Sequence, residues 1–500
     1  MNDPASQSPP GQGLRRQLGL AGLAATGICS MLGASVYVVP FMIHRNVPGI
    51  DNWILPAFLF AAVPASLAAL AYAILSSAMP RAGGSYLYAS RGLHPYLGFI
   101  ASFSQWFGLS IVIGVIAYII VPFLRDIAAA LGWADLSSTL ETGAVRVGLA
   151  LGMVWLFVIV NLYGGRFYER TVLPLMILMF GLGGIVIVAG FSLDQETFVS
   201  ALSMQENRSI PAAGKSPFDL ATFLAAAAIL FSSFIGFDSI AQAGSEARRP
   251  ERNLPLAIGL AIVTVGSFYF LFTAAVYHAV PWPYVAEEAM QRDITAPGLF
   301  RYLLPEGWTV AIVAGAAIAL INDLPAMLLA VSRLMFAWAE DGIFPRGIAA
   351  VHPRLHTPHR AVLLSGVMAS VGIFGSHFAG DFFLGIDIMV TSMLVNFLLM
   401  CLAVLTLPKV NPTLARGVRV VTSRRWQQIA SIAGVVLLAG FLVIHITRDL
   451  SADVSAWYFH STPVWLIVMT LASGIYFREL RRLKNRGVDV KAIFDRLPPE

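Results

Sequence analysis

The chain has 500 residues, of which 57% are hydrophobic and 12% are charged, and its mean hydropathy is +0.74. Soluble domains carry roughly 25% charged residues, so this composition excludes an ordinary soluble protein. The net charge of +5 comes from basic residues between apolar segments. We therefore expect contact with anionic lipid headgroups and no nucleic-acid partner.

Twelve apolar stretches are long enough to cross a bilayer as helices, and they are called spans 1 to 12. They lie near 20–42, 54–79, 97–122, 143–163, 172–191, 218–243, 256–277, 308–331, 361–378, 382–407, 429–447 and 456–477. No hydrophilic stretch between them is long enough for a second folded domain. Residues 1–16 before span 1 show no cleavage signal, and we expect a disordered tail there. The predicted fold class is an all-α integral membrane protein.

Lysine and arginine are unevenly distributed among the connecting segments. If both termini lie in the cytoplasm, the segments on that side hold most of the 33 basic residues, including a basic tail at 478–500. Cytoplasmic loops of membrane proteins carry such an excess of positive charge. The sequence therefore predicts a multi-pass protein of the cell (plasma) membrane with both termini in the cytoplasm.

Small residues interrupt two of the predicted spans. Residues 31–40 read Met-Leu-Gly-Ala-Ser-Val-Tyr-Val-Val-Pro, and residues 231–238 read Phe-Ser-Ser-Phe-Ile-Gly-Phe-Asp. Glycine and serine weaken a helix, and lipid offers no partner to the freed backbone groups, so a break persists where it lines a cavity. Matching breaks in two halves of a chain indicate the binding site of a transporter. The alternative is that small residues allow close helix packing.

The two interrupted spans each open a group of five. Because each group has an odd number of spans, the second group has the opposite orientation in the membrane. Residues 17–191 and 218–407 are therefore predicted to form two inverted repeats. Residues 429–477 would then add two further spans outside the repeats.

Three connecting segments closely resemble the amino acid–polyamine–organocation permease superfamily. Residues 80–88 read Pro-Arg-Ala-Gly-Gly-Ser-Tyr-Leu-Tyr; Gly236, Phe237 and Asp238 are followed by Glu246; and span 8 ends with Ser-Arg at 332–333 before Glu-Asp-Gly at 340–342. The resemblance implies a secondary transporter with the inverted-repeat fold of the bacterial leucine transporter. It also implies that amino acids or related amines move by alternating access, through exchange or proton coupling.

The resemblance also implies the substrate-binding residues. Backbone N–H groups at the break in span 1 would bind the carboxylate of an amino acid, and carbonyl groups at the break in span 6 would bind its ammonium. The residues are Gly33, Ala34 and Ser35 in span 1 and Phe231, Ser232 and Phe234 in span 6. The ring of Phe231 also matches an aromatic gate.

Three charged residues in or near the spans are further candidates. Asp323 lies within span 8, where a carboxylate is costly enough to suggest a function. The alternative is that Asn322 and Pro325 mark a local break in the helix, where Asp323 caps the freed N–H groups or reaches water. Asp238 is expected to stabilise the break in span 6 or to form an inner gate. Arg333 would form a gate with Asp341, Glu246 and the arginines at 248 and 249, unless these are solvated loop charges.

The prediction about the coupling ion rests on two features of relatives that this sequence does not have. Sodium-coupled relatives place hydroxyl groups on span 8, but residues 319–325 contain none, and some proton-coupled relatives carry a lysine on span 5, but residues 171–191 contain none. We therefore expect no strict sodium dependence, and Asp323 is the candidate for proton coupling.

Neither a metal, a cofactor nor a catalytic residue is expected. His352, His356 and His359 have a metal-like spacing, but Pro353 and Pro358 interrupt any helix there. No motif supports a membrane-embedded enzyme. The alternatives are a permease for polyamines or other small amines, which would need an acid such as Asp323 facing the pocket, and a solute sensor that does not transport.

Overall fold

The computed structural model describes residues 14–33, 35–210, 217–291, 294–379, 383–454 and 456–498. Twelve helices in these ranges are long and apolar enough to cross a membrane, and they coincide with the twelve predicted stretches. Pairing of the β type in the described part is limited to two isolated bridges, Leu18 with Ala247 and Ala82 with Ala243. The predicted all-α, twelve-span membrane fold is confirmed.

Ten spans are continuous and two are broken. Span 1 consists of Leu20–Met31 and Ser35–Asn46, and span 6 consists of Leu220–Leu230, the 3₁₀ turn Phe231–Phe234 and Ser239–Gln242. Spans 2 to 5 are Ile54–Ala78, Pro95–Ala130, Gly143–Leu162 and Gly165–Ser192. Spans 7 to 12 are Pro250–Ala279, Glu306–Glu340, His359–Ala379, Phe383–Val410, Arg424–Ser451 and Ser461–Asn485.

Shorter helices connect the spans. They are Gly84–Gly92, Ala134–Glu141, Gln195–Glu206, Trp282–Gln291, Ala296–Phe300, Pro412–Ala415 and Val490–Asp495, with 3₁₀ turns at Asp51–Trp53, Gly244–Glu246, Arg346–Ala349 and Trp457–Phe459. Twelve crossings bring residues 14–19 and 486–498 to one side of the bundle, which we call the terminal face. The opposite side is called the far face.

Some spans are longer than their apolar segments. Span 3 has 36 residues, or about 54 Å at 1.5 Å per residue, whereas the hydrocarbon core is about 30 Å thick. Span 5 begins at Gly165 rather than near 172, because the polar residues around Glu169 continue the helix beyond the apolar part. Hydropathy indicates where a helix crosses lipid and does not show where the helix ends.

Spans 1, 3, 8 and 10 form the interior of the bundle. Most of their residues are buried, whereas most residues of spans 4, 5, 11 and 12 are not buried within the protein. Span 8 packs against spans 1, 3, 4, 5, 6 and 9. The two broken spans therefore lie next to the most buried helices of the protein.

Gly236 allows the two breaks to approach each other. Its φ is +133°, and a Cβ atom at this position would lie 2.2 Å from the carbonyl oxygen of Ser30. Any side chain would meet backbone rather than a movable group, so only glycine fits. The Oγ atoms of Ser30 and Ser239 are 3.0 Å apart and form a hydrogen bond between the same two spans.

Candidate solute site

A cavity of about 590 Å³ connects the far face with the middle of the bundle. Arg125, Asp126 and Arg146 line it at the far-face ends of spans 3 and 4, and apolar side chains line most of its length. Its inner end reaches Gly33, which lies in the break of span 1. A solute entering from the far face would therefore arrive at the interrupted helix.

Three of the predicted site residues meet at the inner end of this cavity. Gly33, Ser232 and Asp323 all line it. A Cβ atom on Gly33 would lie 2.8 Å from Oδ2 of Asp323, so this carboxyl group packs directly against the break in span 1. Asp323 is 3% exposed, and within the described residues its Oδ1 atom has no hydrogen-bond partner. A buried acceptor without a partner is costly, and a ligand would relieve that cost.

The alternative in which Asp323 caps a break in span 8 is wrong. Span 8 is one helix from Glu306 to Glu340 and continues through Pro325. The carbonyl group of Pro325 accepts a hydrogen bond of 3.1 Å from Nδ2 of Asn161, and Nδ2 of Asn322 donates to Sγ of Cys29 at 2.9 Å. These contacts hold the helix at the turn that carries Asp323, so the carboxyl group is presented from a regular helix.

The break in span 1 begins after Met31. The N–H of Leu32 donates to the carbonyl oxygen of Ile28 at 2.8 Å, and the hydroxyl of Tyr269 donates to the carbonyl oxygen of Met31 at 3.1 Å. These bonds satisfy carbonyl groups at the helix end. Ala34 and the side chain of Ser35 lie outside the described residues, so their contact with a carboxylate stays a prediction.

The break in span 6 presents Ser232 to the cavity and turns its two aromatic rings elsewhere. The ring of Phe231 contacts Phe397 and Phe441, with centroid distances of 6.2 and 5.8 Å. The ring of Phe234 packs against Phe58 at 5.1 Å. Neither ring is among the described residues that line the cavity. The gate assigned to Phe231 stays a prediction, and in this conformation its ring is part of the packing.

We expect Phe231→Ala to destabilise the protein, because removing a fully buried ring leaves a cavity that costs about 3–5 kcal/mol. The gate hypothesis adds that the variant binds its solute more weakly. The two effects are separated by measuring the thermal unfolding midpoint and the solute affinity of the same preparation. Phe378→Ala, at a ring that is 81% exposed, is the control. A lower midpoint with unchanged affinity would place the gate elsewhere.

A buried polar cluster lies on the terminal side of the break in span 6. Oδ1 of Asp238 accepts from the N–H of Gly236 at 3.2 Å, and the side-chain amide of Gln105 donates to the other oxygen of Asp238. Gln105 in turn accepts from Ser85 at 2.5 Å and from Gln242 at 3.2 Å. Asp238 thus contacts the backbone at the break, and its predicted roles in stabilising the break and as an inner gate both stay predictions.

Two buried ion pairs lie near the terminal face where one larger network was expected. Nε of Arg333 is 2.6 Å from Oε1 of Glu246, and both side chains are almost fully buried. Asp341 pairs instead with Arg91, at 2.5 Å and 2.8 Å. The arginines at 248 and 249 are exposed, so including them with Arg333 was wrong. Nothing in the sequence indicated Arg91, which comes from the short helix after span 2.

Part of the basic C-terminal tail packs on the protein. The Nε of Arg91 donates to the carbonyl oxygen of Arg496 at 3.2 Å, and the Arg91 guanidinium lies 5.2 Å from the centre of the Phe494 ring. Burial of Arg91 therefore depends on the helix Val490–Asp495. Burial, with the nearby carboxylate of Asp341 as a second cause, raises the pKa of the Tyr86 phenol, whose hydroxyl donates to Asp341 at 2.5 Å.

Aromatic and charged groups surround the far-face mouth of the cavity. The guanidinium of Arg146 lies 3.8 Å from the centre of the Tyr118 ring, and the Tyr118 hydroxyl is 3.0 Å from Nδ1 of His377. Arg125 pairs with its neighbour Asp126 at 2.7 Å. The sequence did not single out these two arginines.

The histidines with metal-like spacing do not form a cluster of ligands. The rings of His352 and His359 lie 5.5 Å apart, and Nδ1 of His352 accepts from the N–H of Leu355 at 3.2 Å. Throughout the described ranges, no group of three or more His, Cys, Asp and Glu side chains is arranged to hold a metal ion.

Comparison with known sequences identifies the family. The profile of the amino acid permease family matches residues 18–471, which include spans 1 to 11 and the first part of span 12. The chain belongs to the amino acid permease family. This confirms the resemblance that the three connecting segments indicated.

Relatives within the family have different named substrates. The chain is 26% identical over 392 residues to cationic amino acid transporter 4 of Homo sapiens, covering 73% of this chain and 56% of the relative. It is 27% identical over 384 residues to the vacuolar cationic amino acid transporter 2 of Arabidopsis thaliana, with 74% and 57% covered. It is 25% identical over 414 residues to a branched-chain amino acid permease of Bacillus subtilis, with 81% and 83% covered. The chain thus spans a little over half the length of the two cationic transporters.

Proposed function

We propose that this permease-family protein is a secondary transporter of amino acids that works by alternating access. The observation that carries the proposal is the cavity that leads from the far face to Gly33 and Ser232 at the two broken helices and to Asp323 on span 8. On the terminal side, buried polar and ionic contacts close the bundle. In this proposal, a cavity open toward the far face is the state that receives solute from that side. Residues 17–191 and 218–407 are the two inverted repeats. Their movement relative to each other converts this state into one that is open to the terminal face.

The terminal face is the cytoplasmic one in this proposal. Most lysine and arginine residues of the connecting segments lie on that face, as the positive-inside rule requires. Solute would then enter from outside the cell, and the plasma membrane is the proposed location.

The cavity suits a solute with a charged end and an apolar or flexible body. Backbone N–H groups near Gly33 would bind the carboxylate, and carbonyl groups of the 3₁₀ turn Phe231–Phe234 would bind the ammonium. The relatives are named for cationic and for branched-chain amino acids, and both kinds have the same charged end. Within the cavity, apolar walls would contact the side chain of either kind.

A permease for amines without a carboxylate is the second candidate. It is favoured by the position of Asp323, because such a solute needs an acid facing the pocket and Asp323 lines the cavity. A solute sensor with this fold would bind the same compounds without moving them.

Counterflow in proteoliposomes tests the proposal. Vesicles loaded with one unlabelled amino acid should take up the same labelled amino acid faster than empty vesicles, for at least one member of a panel of the twenty amino acids and common amines. Uptake of an amine with no uptake of any amino acid would favour the second candidate. Binding detected by thermal shift without counterflow would indicate a sensor and contradict transport.

We expect transport to continue at an unchanged rate when sodium is replaced by choline, because span 8 offers no hydroxyl group between Ala319 and Pro325. The measurement is initial uptake at equal ionic strength and pH. An uptake rate that falls at least tenfold without sodium would show a sodium site and would refute proton coupling or simple exchange.

A further inference from the structure

The inner end of the cavity carries an unbalanced negative charge. Four charged residues line the cavity, but Arg125, Asp126 and Arg146 stand at its far-face mouth, where the first two pair with each other. Asp323 is buried at the other end, and its Oδ1 atom is without a hydrogen-bond partner in the described structure. Among the described cavity-lining residues, both basic side chains stand at the mouth, so an ionised Asp323 would have none beside it at the inner end.

The helices packed against span 8 do not supply a positive charge near Asp323 either. Their titratable groups toward the middle of the bundle are Cys29 and Tyr37 on span 1, Tyr118 on span 3, Tyr168 on span 5, Asp238 on span 6 and His377 on span 9. The thiol and the phenols supply no positive charge, Asp238 is an acid held by Gly236 and Gln105, and His377 contacts Tyr118 near the mouth. The arginines of these elements lie toward one face or the other.

Alternating access requires the cavity to close around its contents before it opens on the other side. A carboxylate enclosed in a membrane protein without a counter-ion is energetically costly. A neutral amino acid is a zwitterion with no net charge, so it cannot balance the carboxylate. A basic amino acid has a net charge of about one and can.

We propose that Asp323 binds one positive charge each time the protein carries a solute across the membrane. The side chain of a basic amino acid supplies this charge, or a proton supplies it when the solute is a neutral amino acid. This inference rests on the proposed transport function. It makes Asp323 the residue that determines whether a proton accompanies the solute. With a basic amino acid, the carboxylate pairs with the cation and no proton moves. With a neutral amino acid, the carboxyl group takes a proton on one side and releases it on the other.

The proposed role of Asp323 determines the charge balance of an exchange. When one basic amino acid enters and one neutral amino acid leaves, one proton leaves with the neutral one. One positive charge then moves in each direction, so the exchange is electroneutral and changes the pH inside the vesicle. Exchange of a neutral amino acid for itself moves equal numbers of protons both ways and leaves the pH unchanged.

The experiment uses proteoliposomes that contain leucine and a pH-sensitive dye. Adding lysine outside should make the interior more alkaline by one proton per lysine taken up, and the reverse loading should acidify it. The rate should not respond to a potassium diffusion potential set with valinomycin. Adding leucine outside should exchange label without a pH change.

Variants at Asp323 complete the test. Asp323→Asn should lower the rate of lysine uptake at least tenfold relative to the rate of leucine uptake, because no carboxylate remains to pair with the cation, and it should remove the pH change. Asp135→Asn, at an exposed acid on a connecting helix, should behave like the wild type in every assay. If the Asp323 variant does not fold, the number of protons that the wild-type protein moves per lysine still tests the inference.

Three results would overturn the inference. They are lysine–leucine exchange without a pH change, leucine exchange by a protein that transports no basic amino acid, and an Asn variant that retains its lysine uptake. Failure of the proposed transport function looks different, since neither leucine nor lysine would then exchange for itself.

Discussion

We expect Gly33→Val to abolish transport while the protein remains folded. Gly33 lines the inner end of the cavity, and a Cβ atom there would already lie 2.8 Å from Oδ2 of Asp323. The branched side chain of valine would displace this carboxyl group and fill the space next to the break. The nearest group is the end of a side chain and not backbone, so the protein can adjust and fold. Counterflow should fall at least tenfold, with a thermal midpoint close to that of the wild type.

Gly259→Val is the matched control. Gly259 lies on the exposed side of span 7, and a Cβ atom there would meet nothing within 4 Å. This variant introduces the same side chain into a membrane helix and should transport normally. If well-folded Gly33→Val transports at the wild-type rate, the assignment of span 1 to the solute site is refuted.

The second large effect is expected at the ion pair between Arg333 and Glu246. These side chains are 1% and 3% exposed, and Nε of Arg333 is 2.6 Å from the carboxylate. Replacing Glu246 with glutamine leaves a buried cation without its counter-ion, which typically costs about 3–5 kcal/mol. The thermal unfolding midpoint of Glu246→Gln in detergent should therefore be several degrees lower than that of the wild type.

Removing both charges provides the control for this prediction. In the double variant Arg333→Met with Glu246→Leu, neither charge remains to be solvated, and such replacements are often neutral or stabilising. Its midpoint should recover most of the loss seen in Glu246→Gln. A single variant as stable as the wild type would show that the pair does not contribute to the closed terminal side.

The twelve spans and the break in span 1 were predictable because both follow from local composition. Lipid requires about 20 apolar residues in a row, and Gly33 interrupts such a run with residues that weaken a helix. Asp323 was also identifiable, since a carboxylate within an apolar span is costly wherever its side chain points.

The orientation of side chains was not predictable. Phe231 and Ser232 are neighbours at one break, yet the ring packs against spans 10 and 11 while Ser232 faces the cavity. That difference depends on the rotation of a short 3₁₀ turn, which hydropathy does not specify. Arg91 was missed for a related reason, because its partners Asp341 and Arg496 are 250 and 405 residues away in the chain.

The account depends on the cavity being the route of the solute, and labelling of a cysteine within it tests this most directly. Ile116 on span 3 lines the cavity, whereas the next residue, Ala117, is fully buried and is not among the described lining residues. The natural cysteines, Cys29 and Cys401, are both buried. In whole cells, a membrane-impermeant thiol reagent should modify Ile116→Cys and not Ala117→Cys, and a saturating transported amino acid should slow the modification. Absence of labelling at residue 116, or labelling that the amino acid does not slow, would contradict the account.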